Sequence, residues 1–190
     1  MTSTAAQKPY TNRECAQAII ELTRSLPADD PSFLEKLATP IRRLMARPDF
    51  FDIGVKRQSN HTGDGSKWLY YDGQTSIVVD YLPVGRKIPA HDHGVWEACI
   101  VAKGRLSHAK YLRTDDGKKE GYATLDVLED RIMTAGDAVM LAPPTEIHSF
   151  FAVEDDTFFV TVMGGPYKQF RNYFNPAEKT VTVRAPGGSR

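Results

Sequence analysis

Gly85-Arg-Lys-Ile-Pro-Ala-His91-Asp-His93-Gly-Val-Trp-Glu97-Ala-Cys-Ile-Val-Ala-Lys-Gly104 is the stretch whose reading decides the fold. Side chains of an extended chain alternate between two faces, so His91 and His93 share a face only if the backbone is a strand. On a helix they diverge. An unbroken strand also carries Glu97 to that face, adding a carboxylate oxygen to two imidazole nitrogens. Burying these three groups together costs several kcal/mol unless something satisfies them. A divalent ion that accepts nitrogen and oxygen donors, such as iron, manganese, nickel or zinc, does so directly.

A third imidazole is offered by Gly136-Asp-Ala-Val-Met-Leu-Ala-Pro143-Pro-Thr-Glu-Ile-His148, an apolar strand that ends in a proline turn. His61 and His108 have no such company and read as ordinary polar positions. Asp92 and Trp96 fall on the opposite face of the alternation from the ligands, Trp96 as packing. Cys99 falls inward as a small apolar filler.

Working outward, residues after Pro48 come as short β-branched and aromatic runs separated by Gly, Pro, Asp and Asn. The predicted strands are Lys67–Tyr71, Ser76–Leu82, His91–Ala102, Leu106–Leu112, Ala123–Glu129, Ala138–Leu141, Ile147–Val153, Thr157–Met163 and Thr180–Arg184. Eight or nine strands without intervening helices point to a closed antiparallel barrel or jelly roll. Before them, Cys15, Ala18, Ile19, Leu22 and Leu26 predict an amphipathic helix capped by Thr11 or Asn12 and ending near Pro27. Phe33, Leu34, Leu37, Ile41, Leu44 and Met45 predict a second, interrupted at Pro40. The expected organisation is therefore an arm over 1–10, a helical appendage over 11–48, a barrel over 49–184 and a disordered tail over 185–190.

The chain carries 24 basic and 24 acidic residues, for a formal net charge of +0. That balance lacks the electrostatic footprint of a nucleic-acid or anionic-membrane binder. With no signal-peptide core and no membrane-length apolar run, the expectation is a cytoplasmic protein whose two cysteines, Cys15 and Cys99, stay reduced.

The spacing of Gly85, His91, His93, Glu97 and Gly104 resembles the first motif of the cupin superfamily at every fixed position. The stretch from Gly136 to His148 resembles the second motif, with one extra residue before Pro143, Thr145 in place of glycine and, beyond it, Ala152 in place of asparagine. The resemblance implies a mainly β fold, the cupin double-stranded β-helix, with metal ligands His91, His93, His148 and Glu97. Glu97 is either a ligand or a base acting on the substrate.

Ile88-Pro-Ala-His-Asp-His-Gly-Val-Trp96, the preceding helices and Lys67-Trp-Leu-Tyr-Tyr-Asp72 are similar to the bacterial thiol dioxygenases related to cysteine dioxygenase, over residues 11–165. That likeness implies Fe(II), with O2 and a small organic molecule, possibly a thiol, as substrates. It places Lys67 at the family's carboxylate-binding arginine, where a lysine binds an anion as a point charge. It also sets Phe159, Thr161 and Met163 where the family has a Ser-His-Tyr relay. Barrels of the superfamily often dimerise, which makes a homodimer one expected assembly. The competing readings are a redox-silent manganese, nickel or zinc cupin acting as isomerase, decarboxylase or hydrolase, and a non-catalytic small-molecule sensor.

Overall fold

The computed structural model describes residues 9–57, 62, 65–166, 168 and 170–185. His61, most of the expected arm and most of the expected tail lie outside the described residues. Two helices come first, α1 (Asn12–Ser25) and α2 (Phe33–Met45), then twelve strands. These are β1 (Val55–Lys56), β2 (Lys67–Tyr71), β3 (Thr75–Leu82), β4 (Lys87–His91), β5 (Trp96–Lys103) and β6 (Arg105–Arg113). They continue with β7 (Leu125–Thr134), β8 (Ala138–Leu141), β9 (Ile147–Ala152), β10 (Thr157–Gly164), β11 (Arg171–Asn175) and β12 (Thr180–Arg184).

The strands form two antiparallel sheets, ordered β1-β2-β3-β10-β5-β8 and β12-β11-β4-β9-β6-β7. Within them the eight strands β3 to β10 lie as 3-10-5-8 facing 4-9-6-7. That is the order of a jelly roll, two interlocked Greek keys rolled into a barrel. The fold is a mainly β double-stranded β-helix with N-terminal helices.

The first sheet is covered on both faces, which explains why its strands read as nearly continuous apolar runs. Outward, Ile77, Val79, Ala98, Ile100, Val160 and Val162 join one core with α1 and α2, and Trp96 meets Phe33 of α2 edge-on at 5.3 Å. Inward, Leu82, Cys99, Val101, Phe159 and Leu141 pack with Leu106 and Met133 of the second sheet. Both cysteines are free and buried.

Thr11 caps α1 through a capping box: Glu14 N donates to Thr11 Oγ1 at 3.2 Å, and Thr11 N donates to Glu14 Oε2 at 2.8 Å. The expected interruption at Pro40 does not occur, since α2 runs through it. Leu37, Ala38, Ile41 and Leu44 are all buried on that helix. Their burial outweighs the roughly 3 kcal/mol that an interior proline costs.

The larger correction concerns the deciding stretch. There is no unbroken strand from His91 to Ala102. β4 ends at His91 in the second sheet, β5 begins at Trp96 in the first, and residues 92–95 cross between them. Gly94, at φ 67°, makes that crossing, and a Cβ there would run into the Lys168 side chain. Glu97 therefore reaches the histidines from the opposite sheet. Period-2 parity brought it to the same place by a different route.

Candidate metal centre

Each histidine is positioned by a local device. β4 pairs with β9 in a register that shifts between Ile88 and His91, so β4 carries one extra residue across Pro89-Ala90. This bulge turns both Ile88 and His91 inward, which strict alternation forbids. His91 stands opposite His148 of β9. His91 Nδ1 lies 2.9 Å from the Pro89 carbonyl and His148 Nδ1 lies 2.9 Å from the Glu146 carbonyl. A carbonyl only accepts, so each Nδ1 carries the proton and each Nε2 presents a lone pair to the interior.

His93 sits just beyond β4. Next to it Asp92 is buried beneath β11, where Asn172 donates its backbone N at 3.0 Å and its Nδ2 at 2.6 Å to the carboxylate. Asp92 is thus a clamp on β11 and not a solvent-facing residue. His93 Nε2 lies 2.8 Å from His91 Nε2. The ligand atoms of His91, His93 and His148 all fall within 4.8 Å of one another.

Glu97 faces the same space. Its Oε2 is 3.0 Å from His93 Nδ1 and its Oε1 is 3.8 Å from His148 Nε2. Burial pushes its carboxyl up to about 8, against a lowering pull from Arg171. Burial also pushes the His148 imidazole down to about 4, keeping it neutral at physiological pH.

The donor set fits a metal ion. His148 Nε2 is buried without a hydrogen bond among the described residues. Two nitrogens bound at right angles to one ion by 2.0–2.1 Å bonds stand roughly 2.9 Å apart, close to the 2.8 Å between His91 and His93. Without an ion, the 2.8 Å contact between His93 Nε2 and His91 Nε2 requires a proton between the two nitrogens. Metal binding then displaces a proton from this pair.

The cavity holds about 70 Å³. Two arginines that sequence reading did not assign line it, Arg57 and Arg171. Arg57 is held by Asp80 at 2.8 Å, and Thr161 Oγ1 lies 3.4 Å from the other Asp80 oxygen. Arg171 is buried. Phe159, Thr161 and Met163, the residues at the relay positions, line the wall of the first sheet.

Lys67 does not line this cavity. Its Nζ donates to the Phe51 carbonyl at 2.6 Å near the surface. The signals for the missed residues were faint. Asp80 is a lone carboxylate in the apolar run Ile77-Val-Val-Asp-Tyr81, and Arg171 opens the short aromatic strand Arg171-Asn-Tyr-Phe-Asn175.

His108 also departs from its expected ordinary role. It is 1 % exposed, neither ring nitrogen has a hydrogen bond among the described residues, and its ring stacks on His148 at 5.7 Å and 13°. Burial, then His148, Arg131 and Lys110, push it down to about 3. A buried polar group without a partner costs about 1–3 kcal/mol. His108→Phe, which keeps the stack, is therefore expected to raise stability at pH 7. The imidazole is harder to protonate folded than unfolded, so its titration adds no penalty above about 6.5 and destabilises the fold increasingly as pH falls toward 3. The variant should therefore have a shallower acid limb in a chemical-denaturation series. Lower stability at pH 7 with an unchanged acid limb contradicts this account.

No family model matches the chain, and no curated protein matches it in sequence. Solved structures do resemble it. An uncharacterised double-stranded β-helix protein from Klebsiella pneumoniae is 15% identical, with 70% of this chain and 93% of that chain covered and a TM-score of 0.41. An RmlC-like cupin from Shewanella frigidimarina is 14% identical over 58% and 81%, with a TM-score of 0.43. Hydroquinone 1,2-dioxygenase PnpCD, in complex with Cd2+ and 4-hydroxybenzonitrile, is 11% identical over 66% and 75%, with a TM-score of 0.40. Identities and scores of this size carry no argument about activity or substrate. The strand order and the side chains together give a double-stranded β-helix barrel whose interior gathers three histidines able to hold one metal ion.

Proposed function

We propose that the chain is a mononuclear metal-dependent dioxygenase, using Fe(II), that acts on a small organic anion, a thiol among the candidates. The observation that carries this reading is the convergence of three imidazoles, two of them with their tautomer fixed by a backbone carbonyl, with two guanidinium groups on one small interior cavity. His91, His93 and His148 hold the ion, with Glu97 as a further ligand or a base. When bound, iron supplies Lewis acidity and one-electron chemistry toward O2.

The rest falls to the chain's own residues. Arg57, pre-oriented by Asp80, and Arg171 take the anion-binding role that resemblance gave to Lys67. A guanidinium offers a carboxylate two parallel N–H bonds, which an ammonium does not. Ile88, Phe150, Phe159 and Met163 keep the space apolar and limit water. On the measure in which one water needs about 10–15 Å³, the cavity has room for several water-sized groups, which suits a compact substrate. Glu97, with its carboxyl near 8, can hold or release a proton close to neutral pH.

That same carboxyl favours a second reading, a redox-silent cupin in which Glu97 is the acid–base group beside a Lewis-acid manganese, nickel or zinc ion. Oxygen uptake separates the two. The iron-loaded protein, offered a panel of small thiols and β-dicarbonyls, is expected to consume O2 with at least one of them. Glu97→Gln is expected to retain iron and lose about 100-fold or more in turnover. Iron-loaded wild type that consumes no O2 with any compound, yet transforms one anaerobically, contradicts the dioxygenase reading and supports the second.

A further inference from the structure

The outer edge of the second sheet is the strand β7. β7 ends the strand order, and among the described residues β6 is the only strand that pairs with it; the turn into β8 adds Asp137 on Thr134, and Arg131 Nη2 donates to the Ala138 carbonyl at 3.0 Å. The other rim of β7 pairs with no strand among the described residues, and seven of its ten residues are exposed. Natural sheets blunt such an edge with charge or cover it. Here the edge carries apolar side chains as well as charges: Val127 is 61% exposed, Leu128 49% and Ile132 49%. The register against β6 shifts between Lys110 and Tyr111, leaving Leu128 as the extra residue. The stretch of this edge that starts at the bulge is Leu128-Glu-Asp-Arg-Ile132, with regular pairing from Glu129 onward.

We propose that β7 is a homodimer interface, two copies pairing antiparallel about Asp130. A two-fold axis normal to paired antiparallel strands sets one residue opposite itself. With Asp130 on that axis, Glu129 of one copy faces Arg131 of the other, twice, and Leu128 faces Ile132, twice. Glu129 and Arg131 already meet within one chain at 2.5 Å on a shared face. Pairing completes a square in which each carboxylate is flanked by two guanidinium groups. Moving the axis one residue either way removes the Glu129–Arg131 matches. The cost is Asp130 facing itself, a like-charge pair worth a few tenths to about 1 kcal/mol on an exposed rim. The charges thus reject foreign apolar strands and accept this one. Two second sheets then run on as one through the axis.

The test is the mass of the full-length, metal-loaded protein by light scattering. Wild type is expected at twice the 21.2 kDa chain mass. Glu129→Arg and Arg131→Glu each set like charges opposite one another and are expected at the single-chain mass. Mixed one to one, they restore both opposite-charge pairs, so the mixture is expected to return to the double mass. Mixing leaves each chain's internal contacts unaltered, so damage to the fold cannot mimic this recovery. If either variant loses the wild-type far-ultraviolet circular dichroism, Ile132→Lys, which disturbs no ion pair, replaces it and is expected at single mass. A monomeric wild type, single variants that remain dimeric, or a well-folded mixture that remains monomeric each overturn the proposal. The first of these leaves the edge to a strand of another protein.

Discussion

Replacing His148 with alanine is expected to abolish tight metal binding while leaving the barrel folded. His148 is fully buried, its Nδ1 committed to the Glu146 carbonyl and its Nε2 buried without a hydrogen bond among the described residues. Two terms oppose each other in the metal-free protein. Loss of the ring leaves a cavity, which destabilises. Loss of an unsatisfied buried nitrogen returns about 1–3 kcal/mol. The net change should be small. The contrast appears when metal is added. An ion at 100 times its dissociation constant stabilises the protein that binds it by about 2.7 kcal/mol, so wild type should melt higher with metal and the variant should not. A variant that keeps both its metal and its metal-dependent rise in Tm contradicts the three-histidine assignment.

Asp80→Ala is the second large effect. The Asp80 carboxylate is 6% exposed and the Arg57 side chain 20%, and the pair is 2.8 Å apart. Removing one partner of a buried ion pair strands the other charge, at a cost of 3–5 kcal/mol. Because Arg57 keeps some solvent and rests on Trp68 at 4.9 Å, the lower end applies. The expected loss is about 3 kcal/mol, or roughly 6–12 °C in Tm for a chain of this size. The double change Asp80→Leu with Arg57→Met removes both charges and should recover most of it. Melting curves that place Asp80→Ala within about 1 kcal/mol of wild type contradict the view that this pair anchors the cavity wall.

Much of this was legible before any coordinates. β2, β8 and β12 fall on their expected residues because each is a short apolar or β-branched run bounded by turn residues. His91, His93 and His148 were legible because spacing and chemistry singled them out, and the fold gathers them. What failed did so for tertiary reasons. The crossing at 92–95 depends on Gly94, whose positive φ no alternation pattern contains. β4 was missed apart from His91, which the expected strand His91–Ala102 took as its first residue, because Pro89 and the bulge around it break the alternation over residues 87–90. β11 is five residues long and takes its shape from partners far away, pairing with His91 and β12. Arg171 came with it and was equally invisible. Lys67 was placed by likeness in linear sequence, whereas the guanidinium groups that line the cavity come from residues 57 and 171.

Elemental analysis of the anaerobically purified full-length chain, before and after reconstitution with Fe(II), tests the metal centre most directly. The geometry of His91, His93 and His148 predicts close to one equivalent of a divalent metal per chain, lost in His148→Ala. A wild-type protein that is folded, purifies without metal and takes up none on reconstitution contradicts it.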